Sequence, residues 1–242
     1  MNHNIIPNVF VGTMYYHEGD YDKCVESIMT QKDVKIKHHV IKNLTEIDAH
    51  NELWESWNKV RSQYDFFIKI DADTVLAHEF VISKYWEMFN SNNRITGIQA
   101  PLHDYFTDNM ICGLNCFRQN VSFSQSKNSL YCDRNVEIGH DIVIKSQNVV
   151  SELIPAGYHC HNATTRQAFH FGVHRTLKNQ IQTIELVKSA WNKHKDVLRA
   201  YVLIGSKYAH KFTHDNHSYS TEEFNKIYNE CEINFEFLIK QI

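Results

Sequence analysis

A short, almost wholly apolar run from Asp65 to Ile70 ends in two aspartates, Asp71 and Asp73, and the pattern leading up to it leaves few folds open. Asn8 to Tyr15 reads as a strand around Val9, Phe10 and Val11. Cys24, Val25, Ile28 and Met29 recur at helical spacing between Tyr21 and Gln31, with Asp20 and Asp22 where a helix dipole favours acid. Val34 to Ile41 alternates with period two, and Leu53, Trp54, Trp57 and Val60 form one helical stripe between Ala49 and Gln63. The run from Asp65 to Ile70, broken only by Lys69, suits a strand covered on both faces. Strand and helix in alternation predict an α/β fold, with a mostly parallel central sheet flanked by helices and right-handed crossovers. Ligands of such sheets gather beyond the carboxyl ends of the strands, where the two aspartates lie.

The rest of the chain extends this pattern. A helix is expected from His78 to Asn90, and strands at Ile95 to Ala100 and Met110 to Phe117, the latter holding Gly113. Ser122 to Asn135 reads as a polar loop and Asp141 to Val150 as a short helix. Ile181 to Tyr201 and Thr221 to Ile242 read as helices, the second with Thr221 as N-cap and Glu222 and Glu223 in its first turn. The expected organisation is therefore a main domain over residues 1–180 and a helical C-terminal extension over 181–242 packed on it.

Bulk properties narrow the class. A hydrophobic content of 43% with 22% charged residues is that of a globular protein, and a net charge of -3 supplies no basic field for a nucleic-acid polymer. No segment approaches the roughly 18 consecutive apolar residues of a membrane span, so peripheral membrane contact is the only kind expected. Six cysteines are too sparse for a disulfide scaffold. These properties give a cytoplasmic expectation, including the inner face of the membrane.

Two carboxylates one residue apart at a strand end would face the same side if the chain stayed extended, and both could then meet a divalent cation, Mg²⁺ or Mn²⁺. A cation so held can bridge the phosphates of a sugar nucleotide and neutralise the departing diphosphate. Arg166 to Arg175 adds cationic groups suited to diphosphate. Tyr15 and Tyr16 could stack on a base.

The segment Phe66-Phe67-Ile68-Lys69-Ile70-Asp71-Ala72-Asp73 resembles the signature of GT-A glycosyltransferases. Val9 to Tyr15 with Cys24 to Gln31 looks like the opening strand and helix of glycosyltransferase family 2, with Ser27 and Gln31 in register. Gly113 to Arg118 resembles that family's acceptor-side strand, and Ile154 to His161 its late strand ending in histidine. The resemblance covers residues 8–175. It implies a GT-A (nucleotide-diphospho-sugar transferase) fold and a nucleotide-diphospho-sugar donor contacted by Thr13, Tyr15, Asn43, Asp71 and Arg175. The implied metal ligands are Asp71, Asp73 and a late histidine, His161 in preference to His159. The acceptor would be a glycan or lipid-linked saccharide, and the reaction an inverting transfer in surface polysaccharide synthesis. Two positions depart from the pattern: Lys42-Asn43-Leu44 replaces the usual acidic pair after the second strand, and His140-Asp141 replaces Glu-Asp. Asp141 is the expected catalytic base, with Asp104, Asp133 and Glu137 as rivals.

Other readings compete. A nucleotidyltransferase would also use paired carboxylates, but would normally carry a basic Gly-rich loop after the first strand, where Thr13 to Asp20 has neither Lys nor Arg. A non-catalytic metal- or nucleotide-binding module of the same fold would use the histidine-rich half. Cys112, Cys116, Cys160 and His161 offer a zinc alternative. His170 and His174 share a helical face, where packing is their expected role.

Overall fold

The computed structural model describes residues 6–133 and 137–242, so Arg134 and Asn135 of the expected polar loop lie outside the described residues. The chain begins as expected, with β1 (Asn8–Tyr15), α1 (Tyr21–Met29), β2 (Lys35–Lys42), α2 (Glu46–Val60) and β3 (Phe66–Lys69). Alternate residues of β1 serve opposite faces of the sheet. Val9 and Val11 join Cys24 and Ile28 of α1, while Phe10 meets Leu53, Trp54 and Trp57 of α2. Thr45 caps α2, its hydroxyl accepting from the Asp48 amide at 3.2 Å.

After β3 come β4 (Thr74–Leu76), α3 (Val81–Ser91), β5 (Ile95–Asp104) and β6 (Asn109–Arg118). β7 (Ser122–Phe123) pairs with β8 (Glu137–Ile138) in a separate two-stranded ribbon. β9 (Ile142–Ile144) and β10 (Gly157–His159) complete the main sheet, whose order is β2-β1-β3-β6-β5-β10-β4 with β9 beside β5.

The sheet is mixed, which corrects the expectation of a mostly parallel one. β1 is parallel to β2 and β3, but β6 runs antiparallel to both β3 and β5, and β10 antiparallel to β4. The cause is the length of the connections. Only residues 105–108 separate β5 from β6, enough for a hairpin and far too few for the crossover that parallel neighbours need. A second correction concerns residues 141–150, where the β-branched residues form β9 and pair with the start of β5, so no α-helix forms.

The C-terminal part is a helical layer: α4 (Thr165–Leu177), α5 (Ile181–His194), α6 (Val197–Tyr208), α7 (Glu222–Ile233) and α8 (Phe235–Leu238). The single helix expected from Ile181 to Tyr201 is two, because Lys195 turns left-handed (φ 53°) and Asp196 caps the next. Thr221 caps α7 as expected, accepting from the Phe224 amide. This layer has its own core, in which Phe169, Phe171 and Val173 of α4 meet Val202, Phe224 and Tyr228. Among the described residues no helix is long and apolar enough to cross a membrane. All six cysteines are free thiols.

Candidate active site

Ser27 and Gln31 show how α1 fixes the carboxyl edge of the sheet. The Ser27 hydroxyl accepts from the Leu76 amide at 3.1 Å, and the Gln31 side chain bridges the His78 carbonyl and the Ile82 amide. β4 and α3 are thereby anchored on either side of the segment that follows β3. Asp71-Ala72-Asp73 itself is a turn, with the Thr74 amide donating to the Asp71 carbonyl at 2.9 Å. The extended geometry assumed for this pair is therefore replaced by a tight reversal into β4.

The turn forms the floor of a cleft of about 240 Å³ between the sheet and the helical layer. From the sheet side come Tyr15, Glu18, Glu46, Lys69, Asp71, Asp73 and His159; from the helical side come His170, His174, Arg175, Lys178 and Tyr219. Gln167 closes one corner. It forms a capping box with Thr164 at the start of α4, and its carbonyl also accepts from the Gly19 amide at 3.0 Å. Asp20 accepts from the Asn162 backbone and side-chain amides at 2.8 and 2.6 Å, holding the loop after β1 against the loop after β10.

Asp73 is the chemical centre of the floor. His159 Nε2 lies 3.6 Å from Asp73 Oδ1, and the Cys160 thiol donates to Asp73 Oδ2 at 3.3 Å. Asp73 Oδ1 is buried and makes no hydrogen bond. Burial raises the Asp73 carboxyl above the usual range against the opposing pull of His159, with Asp71 adding to the rise. Behind His159 sits fully buried Asp104, accepting from Nδ1 at 2.7 Å and from the Thr107 amide and hydroxyl. Although burial alone would lower it, the two carboxylates push His159 up to about 9. Asp71 accepts from Lys69 Nζ at 2.6 Å, and that ammonium outweighs burial to hold it below the usual range.

Asp71, Asp73, Tyr15 and Arg175 therefore converge on one cleft. Tyr16 and Asp133 line it as well, whereas Thr13, Asn43, Asp104, Glu137, Asp141 and His161 do not. Thr13 is fully buried within β1, its hydroxyl 3.0 Å from His38 Nε2, and Asn43 is exposed on the turn after β2. His161 is exposed and packs against His103, whereas the strand end turns the ring of His159 toward Asp73. Asp104 stands behind the cleft wall. Asp141, expected as the base, lies off the cleft. It is held by Arg94 at 2.8 and 3.1 Å next to the start of β5, whereas Asp104 ends that strand, roughly 30 Å away along ten extended residues. The four-ligand zinc alternative also fails, with Cys116 in the sheet core, Cys112 exposed and bonded to Ser146, and His161 exposed.

The sequence reading missed Glu18, Glu46 and His217. Glu18 lines the cleft and accepts from the Tyr16 amide at 2.6 Å; burial, then Asp73, lifts its carboxyl to about 7. An acidic residue a few positions after the first strand of an α/β sheet was the available signal. His170 and His174, expected to be packing residues, face the cleft, and burial holds both far below the usual imidazole range, so they are neutral at pH 7.

No family model matches the chain, and no curated protein matches it in sequence. Solved structures are similar to it in fold alone, and weakly. The mannosyltransferase PcManGT from Pyrobaculum calidifontis, solved in complex with GDP-Man and Mn²⁺, is similar over 96% of this chain and 81% of its own, at 8% identity and a TM-score of 0.44. A197 from STIV is similar over 46% of this chain and 64% of its own, at 9% identity and a TM-score of 0.34.

Proposed function

We propose that this chain is a divalent-cation-dependent glycosyltransferase acting on a nucleotide-diphospho-sugar. The observation that carries the reading is Asp73, a buried carboxylate with one oxygen lacking a hydrogen bond, set between Asp71 and a histidine aligned by a second carboxylate. An orphaned carboxylate oxygen beside an imidazole fits a missing cation, because leaving it unpaired carries a large desolvation cost. Two carboxylates and an imidazole suit Mn²⁺ or Mg²⁺, and the Cys160 thiol, which burial and Asp73 keep protonated, acts as a hydrogen-bond donor.

Asp71, Asp73 and His159 would hold that ion, and when bound it would neutralise charge on the departing diphosphate. The chain's own cations favour the same anion, since Arg175 and Lys178 of the helical side and Lys69 of the sheet side all line the cleft. Arg175 is pre-oriented by Gln180 at 2.9 Å and by the Phe171 ring. Glu18 takes the role expected of Asp141. Its carboxyl lies in the cleft with a proton affinity near neutrality, the range in which a base can accept an acceptor hydroxyl proton. One such base and direct displacement give inversion at the anomeric carbon. Asp104 is a positioning residue, fixing His159 so that Nε2 faces Asp73.

The test is release of nucleoside diphosphate from a panel of UDP-, GDP- and dTDP-sugars with Mn²⁺. The expected outcome is turnover of one donor class, lost in Asp73→Asn with the fold intact. Asp104→Asn should instead weaken Mn²⁺ binding by about 10- to 100-fold, with turnover recovered at saturating Mn²⁺. A donor turned over equally well by Asp73→Asn would sink the reading.

A further inference from the structure

A second set of ligating side chains spans the sheet and helical sides, and shares no residue with the Asp71, Asp73 and His159 group. Glu46 opens α2, His174 sits late in α4, and His217 is in the loop before α7; one donor atom from each lies within 4.8 Å of the others. Their hydrogen bonds decide which atoms carry protons. His217 Nδ1 is 2.9 Å from the His214 carbonyl, which can only accept, so Nδ1 bears the hydrogen and Nε2 a bare lone pair. By the same argument His174 Nε2, 3.2 Å from the Leu130 carbonyl, bears the hydrogen and leaves Nδ1 bare. Glu46 Oε1 accepts from the Cys132 thiol at 3.3 Å, while Oε2 lies 3.9 Å from His217 Nε2.

The bare Nε2 of His217 thus faces Glu46 Oε2 at 3.9 Å, with a ring nitrogen of His174 within 4.8 Å of both. His217 is 1% exposed, and its Nε2 has no hydrogen-bond partner; His170, its ring 5.9 Å from that of His217, likewise has an unpartnered buried Nε2. Lys178 is engaged with Asp133 at 3.8 Å and the Tyr131 ring. Imidazoles whose second nitrogen donates to a backbone carbonyl are the usual form of a metal-ligating histidine.

We infer that Glu46, His174 and His217 form a second metal site, selective for Zn²⁺, that fastens the loop before α7 to α2 and α4. Two imidazoles and a carboxylate suit Zn²⁺ over the oxygen-seeking Mg²⁺, with His170 or water as fourth ligand. Zinc bonds of about 2.0–2.1 Å place tetrahedral ligands roughly 3.3 Å apart, so the His217–Glu46 pair, at 3.9 Å, would close by roughly 0.6 Å on binding. The fastened loop supplies Ser218 and Tyr219 to the cleft, so the ion would set that wall without taking part in transfer.

This inference stands independently of glycosyl transfer, and metal binding alone tests it. Full-length, metal-stripped Asp73→Asn protein, which removes the first group, is titrated with Zn²⁺ in excess Mg²⁺, and with Co²⁺ as a spectroscopic stand-in. One equivalent of Zn²⁺ and the visible bands of four-coordinate Co²⁺ are expected. Adding His217→Gln or the shape-conserving Glu46→Gln should weaken Zn²⁺ binding by more than about a hundredfold, since losing even an outer-shell partner costs up to that much. Circular dichroism identifies any variant that fails to fold, and the other then decides. Zn²⁺ binding abolished by Asp73→Asn alone, or unchanged in a folded His217→Gln or Glu46→Gln protein, overturns the inference.

Discussion

His50 is a buried histidine whose ring nitrogens bond no carboxylate. It is 4% exposed, its Nδ1 bonds the Glu46 carbonyl at 2.8 Å, and its Nε2 is unpartnered. Burial, then the Lys69 charge, pushes it down to about 4 from 6.5. The folded value lies below the unfolded one, so the native state favours the neutral ring. Its contribution is fully present above pH 6.5 and is lost as pH falls toward 4. At about 1.4 kcal/mol per unit, roughly 2 kcal/mol should vanish between pH 6.5 and pH 5. Denaturant unfolding across that range checks this, and His50→Leu should flatten the acid limb; an unchanged limb would show that His50 titrates normally. The same residue scale shows what a sequence conceals. Asp71 and Asp73 were legible because a buried strand points at them. His159 rather than His161 was not, because the choice depends on where β10 ends and how its last residue turns toward Asp73. Glu46, His174 and His217 share no local pattern, and only the tertiary fold brings α2, α4 and the loop before α7 together there.

Elements were legible where periodicity is strong and illegible where direction matters. The first five elements follow from hydrophobic spacing, but strand direction is set by connection length, and a continuous apolar strand reads the same either way up. The close approach of α4 and α6 was equally hidden, since Gly172 and Gly205 look like helix-weakening residues. A Cβ on Gly172 would stand 1.9 Å from the Val202 carbonyl oxygen, and one on Gly205 2.1 Å from that of Phe169. Both obstacles are backbone, so no side chain can rotate away. Alanine would gain up to about 1 kcal/mol of helix propensity, yet overpacking costs about 1–3 kcal/mol and more where two helices must separate. We therefore expect Gly172→Ala and Gly205→Ala each to lower stability. The double variant should cost less than the sum, because one separation relieves both clashes. Because α4 carries His170, His174 and Arg175, donor affinity should fall as well. Thermal unfolding of the three variants measures the coupling, and a stabilised Gly172→Ala would show that the helices are not in backbone contact.

Across the whole molecule, the division at residue 180 read from the sequence raises the question of whether 1–180 can stand alone. α4 lies before that point, yet Ala168, Phe169, Phe171 and Val173 are buried against side chains that come after it. Phe106, in the hairpin between β5 and β6, belongs to the same core, and Arg199 of α6 donates to the Phe106 carbonyl at 3.0 Å and to that of Tyr105. The helical layer therefore also grips the hairpin that positions Asp104, and through Asp104 the orientation of His159. Removing Val187, Val202, Leu203, Ile204, Phe224 and Ile227 forfeits ~1.5–3 kcal/mol each, a loss as large as the 5–15 kcal/mol that typically holds a domain folded. We expect the full chain to unfold in one cooperative transition, coincident by far-ultraviolet circular dichroism and by tryptophan fluorescence from both layers, Trp54 and Trp57 on one side and Trp191 on the other. Protein truncated after Gln180 should bind a hydrophobic dye, lack a cooperative melt and lose Mn²⁺ binding at the Asp73 site. A truncated chain that melts cooperatively and still binds Mn²⁺ would show instead that the sheet layer folds by itself and that the helical layer serves only the donor-facing wall.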